Sequence, residues 1–271
     1  MDRYSSLTVG GLPDQNQLIS SKAIFTPAYA VVPRSVLTDI VSSSFPDWRS
    51  TRGWILARPL SGFAETFAQY LMEVEPGGGS DEPEPDPRAE AALFVIDGKL
   101  TVETLGVRHE LRAGSFAFIP AGQSWTIANT SQRTAKFQWI RKVFEKANKL
   151  GAPPAIFTHE DEAPSVTMPG EPRWGSTRFI DPGDLRYDMH VNIVWFDTGA
   201  AIPFLETHVM EHGLYILEGT GVYRLNSDWV EVEKGDFLWL RAFCPQACYA
   251  RGSGRFRYLL YKDVNRHPKL W

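Results

Sequence analysis

The chain repeats itself at a fixed spacing. Gly98 and Gly219 stand 121 residues apart, and so do Gly114 and Gly235. Phe116, Phe118 and Ile119 fall on Phe237, Trp239 and Leu240 at the same offset. An offset that holds over two glycines and a run of apolar positions needs no gap, so one strand-rich unit has been duplicated. In each copy apolar residues alternate with polar ones. Asp97-Gly98 and Glu218-Gly219 mark one tight turn, and Ala113-Gly114 and Lys234-Gly235 mark a second. Helix signals are scarce, the best being the short stretch Pro33 to Phe45. The 22 glycines, 19 prolines and many aromatics suit short strands joined by turns. The expected class is all-β.

The repeat divides the chain. Residues 1–53 read as an N-terminal extension, 54–141 as the first unit and 176–271 as the second. Residues 142–175, rich in Pro, Gly and charge, read as a linker. Glu75 to Glu90 reads as irregular, because its prolines exclude a central strand.

Potential metal ligands are densest in LETHVMEHG, which carries Glu206, His208 and His212. On a strand these three positions share a face. Two imidazoles and a carboxylate commonly hold a divalent transition metal with room left for a substrate. Their counterparts 121 residues earlier are Pro85, Pro87 and Ala91, which offer no ligand, so one site per chain is expected. Tyr258 and Lys262 share a strand face, and a lysine turned inward calls for an anion. Glu211 falls on the opposite parity and reads as outward or behind the ligands. His190 and His267 read as structural or surface residues.

Other function classes are disfavoured. A net charge of −4 argues against a nucleic-acid or anionic membrane surface. There is no apolar run of transmembrane length and no apolar signal core at the N-terminus. Cys244 and Cys248 would lie about 13 Å apart along a strand, beyond disulfide reach. A cytoplasmic location is expected.

The glycine and ligand spacing resembles the cupin pattern, in which Gly, HxH, Glu and Gly are followed by Gly, PxG, His and Asn. The first copy matches the second motif at Gly114, Pro120, Gly122 and Asn129, with Trp125 where the histidine would stand. The second copy has Glu206-Thr207-His208 for HxH, His212 for Glu, and then Gly219. After Gly235 it has Arg241 and Phe243 for PxG, and Gln246 at the last histidine position. The resemblance implies a bicupin of two tandem jelly-roll β-barrels, the first without metal.

The permuted Glu-His-His-Gln set, with PQACY and YLLYKDVNR, resembles the (S)-ureidoglycine aminohydrolases, bicupins of purine and allantoin degradation. That family implies manganese held by Glu206, His208, His212 and Gln246. A set of two oxygens and two nitrogens without thiolate suits Mn²⁺ or Fe²⁺, and another divalent metal is an alternative. It also implies substrate contacts from Tyr223, Tyr258 and Lys262, with Glu206 and Lys262 taking part in the chemistry. The implied reaction hydrolyses (S)-ureidoglycine to (S)-ureidoglycolate and ammonia, in a homo-oligomer. Alternatives on the same scaffold are a metal-dependent bicupin dioxygenase or decarboxylase of a small organic acid, and a non-catalytic cupin that binds a small acid.

Overall fold

The computed structural model describes residues 23–147 and 149–264. His267 and residues 1–22 of the extension lie outside the described residues. Strands dominate, as the alternation predicts. The first copy forms a nine-stranded sheet; the second forms an eight-stranded and a three-stranded sheet. The repeated glycines explain the shared turns. Gly98 and Gly219 have φ of +78° and +75°. A Cβ there would come within 2.8 Å of Ala135 or 2.1 Å of the Arg255 carbonyl oxygen. Only glycine meets both demands.

The stretches outside the two units are built into them. Tyr29–Val32, from the extension, pairs with Phe237–Leu240 of the second unit. Ile156–His159, from the linker, pairs with Ser115–Ile119 of the first. These are equivalent positions of the repeat, so each barrel takes an edge strand from the segment preceding the other. The linker also carries Ser165–Met168 and the start of Glu171–Arg178. Two further expectations are corrected. Pro33 to Phe45 forms two 3₁₀ turns, Arg34–Val36 and Asp39–Val41, rather than an α-helix. Strand Ala68–Ser80 runs on through Pro76, which sits where the pairing register shifts between Val74 and Gly79. A bulge removes the need for the amide proline lacks. Among the described residues no helix is long and apolar enough to cross a membrane.

Three cores follow from two-sided burial. One fills the first barrel with Trp48, Trp125, Phe137 and Trp139. Trp125 and Ala91, the counterparts of Gln246 and His212, belong to it. A second fills the C-terminal barrel, with Tyr29 and Val31 of the extension among its members. The third lies between the barrels. It takes Phe116 and Phe118 from one copy and Phe237 and Trp239 from the other. Strand Phe237–Leu240 therefore turns Phe237 and Trp239 to the partner barrel, and Leu238 and Leu240 to its own interior.

The barrels meet closely behind the strand that begins at His212. Phe67 lies 4.1 Å from Tyr261, ring centre to ring centre. A Cβ on Gly213 would stand 2.7 Å from both Phe67 and the Gln69 amide oxygen. Gly213→Ala is expected to destabilise the protein by about 1–3 kcal/mol through overpacking. A thermal melt checks this, and an unchanged midpoint would mean that the two barrels can separate there without penalty.

Candidate active site

Antiparallel register builds one wall of the site. His190, Lys262 and His212 are successive cross-strand partners on Met189–Phe196, Phe256–Asp263 and His212–Glu218. Cross-strand partners share a face, so the three side chains form a row. Further rows on that face join Asn192 with Leu260 and Leu214, and Val194 with Tyr258 and Ile216. The intervening positions, such as Val191, Tyr261, Ile193 and Leu259, face the other barrel.

Glu206 and His208 reach this wall by a different route from the one expected. Only His212 of the cluster lies in a regular strand. Pro203 and Pro245 lack amide donors, so no continuous ladder can form around them. An isolated bridge holds the loop instead. The Glu206 amide donates to the Gln246 carbonyl at 2.9 Å, and the Gln246 amide returns a bond at 2.8 Å. The Phe243 amide donates to the His208 carbonyl at 2.6 Å. Phe243 has φ +65°, close to the +76° of Gly122, its counterpart. The cupin turn thus survives without its glycine, at about 1–2 kcal/mol of strain.

These elements enclose a cavity of about 220 Å³. Glu206, His208, His212 and Gln246 line it together with Tyr258 and Lys262. Glu206 Oε1 lies 3.6 Å from His208 Nε2, and the His208 and His212 ring centres are 5.1 Å apart. Two donors about 2.1 Å from one ion stand roughly 3.0–3.4 Å apart, so the Glu206–His208 spacing is near that of a ligand pair. Among the described residues no three His, Cys, Asp or Glu side chains converge as a set that could hold an ion. Gln246 lines the same cavity and offers an amide oxygen as a fourth donor. The donor chemistry fits a divalent cation: one carboxylate, two imidazoles and one amide oxygen.

Burial sets the protonation states. It pushes His212 down to about 3, with His208 and Lys262 adding to the effect and the Met210 backbone opposing it. The imidazole is then neutral, the form that binds metals. Burial, reinforced by Arg178, lowers Lys262, against the pull of Glu206 and Asp263. Burial also holds Tyr258 well above the usual tyrosine range, so its hydroxyl stays a donor. Tyr223 is placed differently from the other expected contacts. It is 1% exposed and lies behind Tyr258, the ring centres 6.0 Å apart, so it supports the wall from the barrel core. Cys244 and Cys248 are buried free thiols, both raised by burial.

The sequence reading singled out neither Arg178 nor Asn192 and took His190 as structural or surface, yet all three line the cavity. The alternation of polar and apolar residues in MHVN was the available signal. Glu211 was also underread. It is buried, and its carboxylate accepts from the Glu65 and Thr66 amides, the Thr66 hydroxyl and the Trp239 indole.

The comparisons agree with this architecture. A family model for the cupin domain matches twice, at residues 70–141 and 192–261. The (S)-ureidoglycine aminohydrolase of Arabidopsis thaliana is 34% identical over 84% of this chain and 74% of its own length. That of Escherichia coli (strain K12) is 30% identical over 85% of this chain and 87% of its own. The chain belongs to the (S)-ureidoglycine aminohydrolase family of bicupins. A crystal structure of a Pseudomonas aeruginosa protein described as glyoxylate-induced is 57% identical to this bicupin. It superposes with a TM-score of 0.89 over 97% of this chain and 96% of that one.

Proposed function

We propose that this bicupin is a metal-dependent aminohydrolase that converts (S)-ureidoglycine to (S)-ureidoglycolate and ammonia in purine and allantoin breakdown. The observation that carries the reading is the meeting of Glu206, His208, His212, Gln246 and Lys262 at one small cavity, in a chain of this family. The reaction breaks the carbon–amine bond and forms a carbon–oxygen bond from water, so it needs no oxidant.

Glu206, His208, His212 and Gln246 would hold the ion, with Mn²⁺ the proposed metal and Fe²⁺ or another divalent ion the alternative. When bound, such an ion supplies Lewis acidity and fixes the face of the substrate that reacts. The protein's own groups do the rest. The Lys262 ammonium pairs with the substrate carboxylate and holds it in register. The Tyr258 hydroxyl donates to the substrate, and Tyr223 backs its ring. The Glu206 carboxylate accepts from the departing amine, beside which Lys262 can hold or pass a proton at Nζ.

Stripping with a chelator is expected to abolish ammonia release from freshly prepared (S)-ureidoglycine, and Mn²⁺ is expected to restore it. Elemental analysis would follow the metal and an ammonia assay the rate, with the uncatalysed rate subtracted. Full activity in protein free of divalent metal would overturn the scheme. Oxygen uptake with a small organic acid, in place of ammonia release, would point to the dioxygenase reading.

A further inference from the structure

Beside the residues already given roles, the cavity wall carries a second polar group set. Arg178 on Glu171–Arg178 is the cross-strand partner of Asn192, and His190 is the partner of Lys262. All four line the cavity. Two features of this set are unexplained by the fold. First, His190 and Asn192 are each only 9% exposed, yet His190 Nδ1 and Asn192 Oδ1 have no hydrogen-bond partner. Buried polar atoms are rarely left so. Second, among the described residues no carboxylate lies within 4.0 Å of Arg178 or Lys262, although arginines elsewhere on the chain, such as Arg49, Arg88 and Arg173, pair with carboxylates even at the surface. The Arg178 Nε donates to Ser176 Oγ at 3.2 Å, which orients the guanidinium.

The two features ask for different things. Two cations without a carboxylate in direct contact call for an anion, and a guanidinium fork suits a carboxylate. A carboxylate cannot satisfy Asn192 Oδ1, because it has no hydrogen to donate. That atom needs an N–H or O–H donor. Burial, then Lys262 and Arg178, push His190 down to about 4, so its ring is neutral and presents one donor and one acceptor. A carbamoyl group has N–H donors and a carbonyl acceptor, and so complements both side chains.

We infer that Arg178, His190 and Asn192 form a recognition subsite for N-carbamoyl amino acids, in which Arg178 joins Lys262 on the carboxylate while Asn192 and His190 bind the ureido end. This deepens the proposed function and rests on it for the metal-facing end of the ligand. The subsite itself is defined by binding, whether or not turnover follows. Arg178 sets the requirement for an acid, and Asn192 and His190 select ureido acids over simple hydroxy acids.

The test is calorimetric titration of the metal-loaded protein with N-carbamoylglycine, a stable ureido acid without the reacting amine, and with glycolate, which lacks the ureido group. Arg178→Gln is expected to weaken both ligands by about tenfold or more. Asn192→Leu is expected to weaken N-carbamoylglycine by about tenfold and leave glycolate unchanged. His190→Phe is expected to behave as Asn192→Leu does. Melting temperature and metal content establish that each variant is folded and loaded; His190→Phe and Asn192→Leu give two independent readings if one fails to fold. Wild-type affinity in folded Arg178→Gln and Asn192→Leu, or no binding of N-carbamoylglycine by the wild type, would overturn the subsite. Ligand discrimination as expected, with no ammonia released from (S)-ureidoglycine, would sink the proposed reaction and leave the subsite standing.

Discussion

His208→Ala is expected to lose most bound divalent metal and to lower ammonia release by more than about a hundredfold, with little change in melting temperature. Even residues that merely orient metal ligands are worth about 10–100-fold, and removal of a ligand should exceed that. The fold should tolerate the change for a structural reason. His208 is partly exposed, and the loop is tied down by backbone groups: its carbonyl to Phe243, and Glu206 to Gln246. None of these bonds uses the imidazole. His212 is a poorer probe, because it is buried and its removal would also open a cavity in the wall. Elemental analysis and an ammonia assay on the same sample decide the matter. A His208→Ala protein with full metal content and the wild-type rate would remove the basis for the proposed site.

Glu211→Ala is expected to be the most destabilising single change near the site. The Glu211 carboxylate receives four hydrogen bonds. Oε1 accepts from the Glu65 amide and the Trp239 indole, each at 2.6 Å. Oε2 accepts from the Thr66 amide at 3.0 Å and its hydroxyl at 2.7 Å. The Glu211 amide donates to Asp263 at 2.6 Å. Truncation leaves two backbone amides and an indole without partners at the junction of the barrels. The expected loss is about 4 kcal/mol, or a fall of roughly 10 °C in melting temperature for a chain of this size. Because Glu211 precedes His212 directly, metal affinity should also fall, by about tenfold. Thermal melts and metal titration would measure both. A melting temperature within about 2 °C of wild type would show that this contact does not hold the barrels together.

Much of the architecture was legible because its signals are local or periodic. The glycines at 98, 114, 219 and 235 mark turns that need positive φ, and all four have it. Strand alternation showed which residues of Phe256–Asp263 share a face, so Tyr258 and Lys262 could be paired on sight. The ligand cluster was visible as a group of residue types, but its geometry was not. A strand from Glu206 to His212 accounts for the common direction by parity; the molecule achieves it with a loop bridged to Gln246, across a separation that no local pattern encodes. Tyr223 shows the same limit. The resemblance implied a substrate contact there, yet its ring packs in the barrel core behind Tyr258.

The sequence by itself determined that the chain is a duplicated β unit with ligand types in only one copy, since both facts are carried by spacing along the chain. Tertiary structure alone decided which side chains face each other. Arg178 and Asn192 meet, and His190 meets Lys262 and through it His212, because of strand register. Glu211 is buried because Glu65 and Thr66 reach it from the other barrel, about 145 residues away in sequence. Hydrogen-bonded register and interdomain packing depend on the whole folded chain at once, so they leave no mark at the individual residues that they bring together.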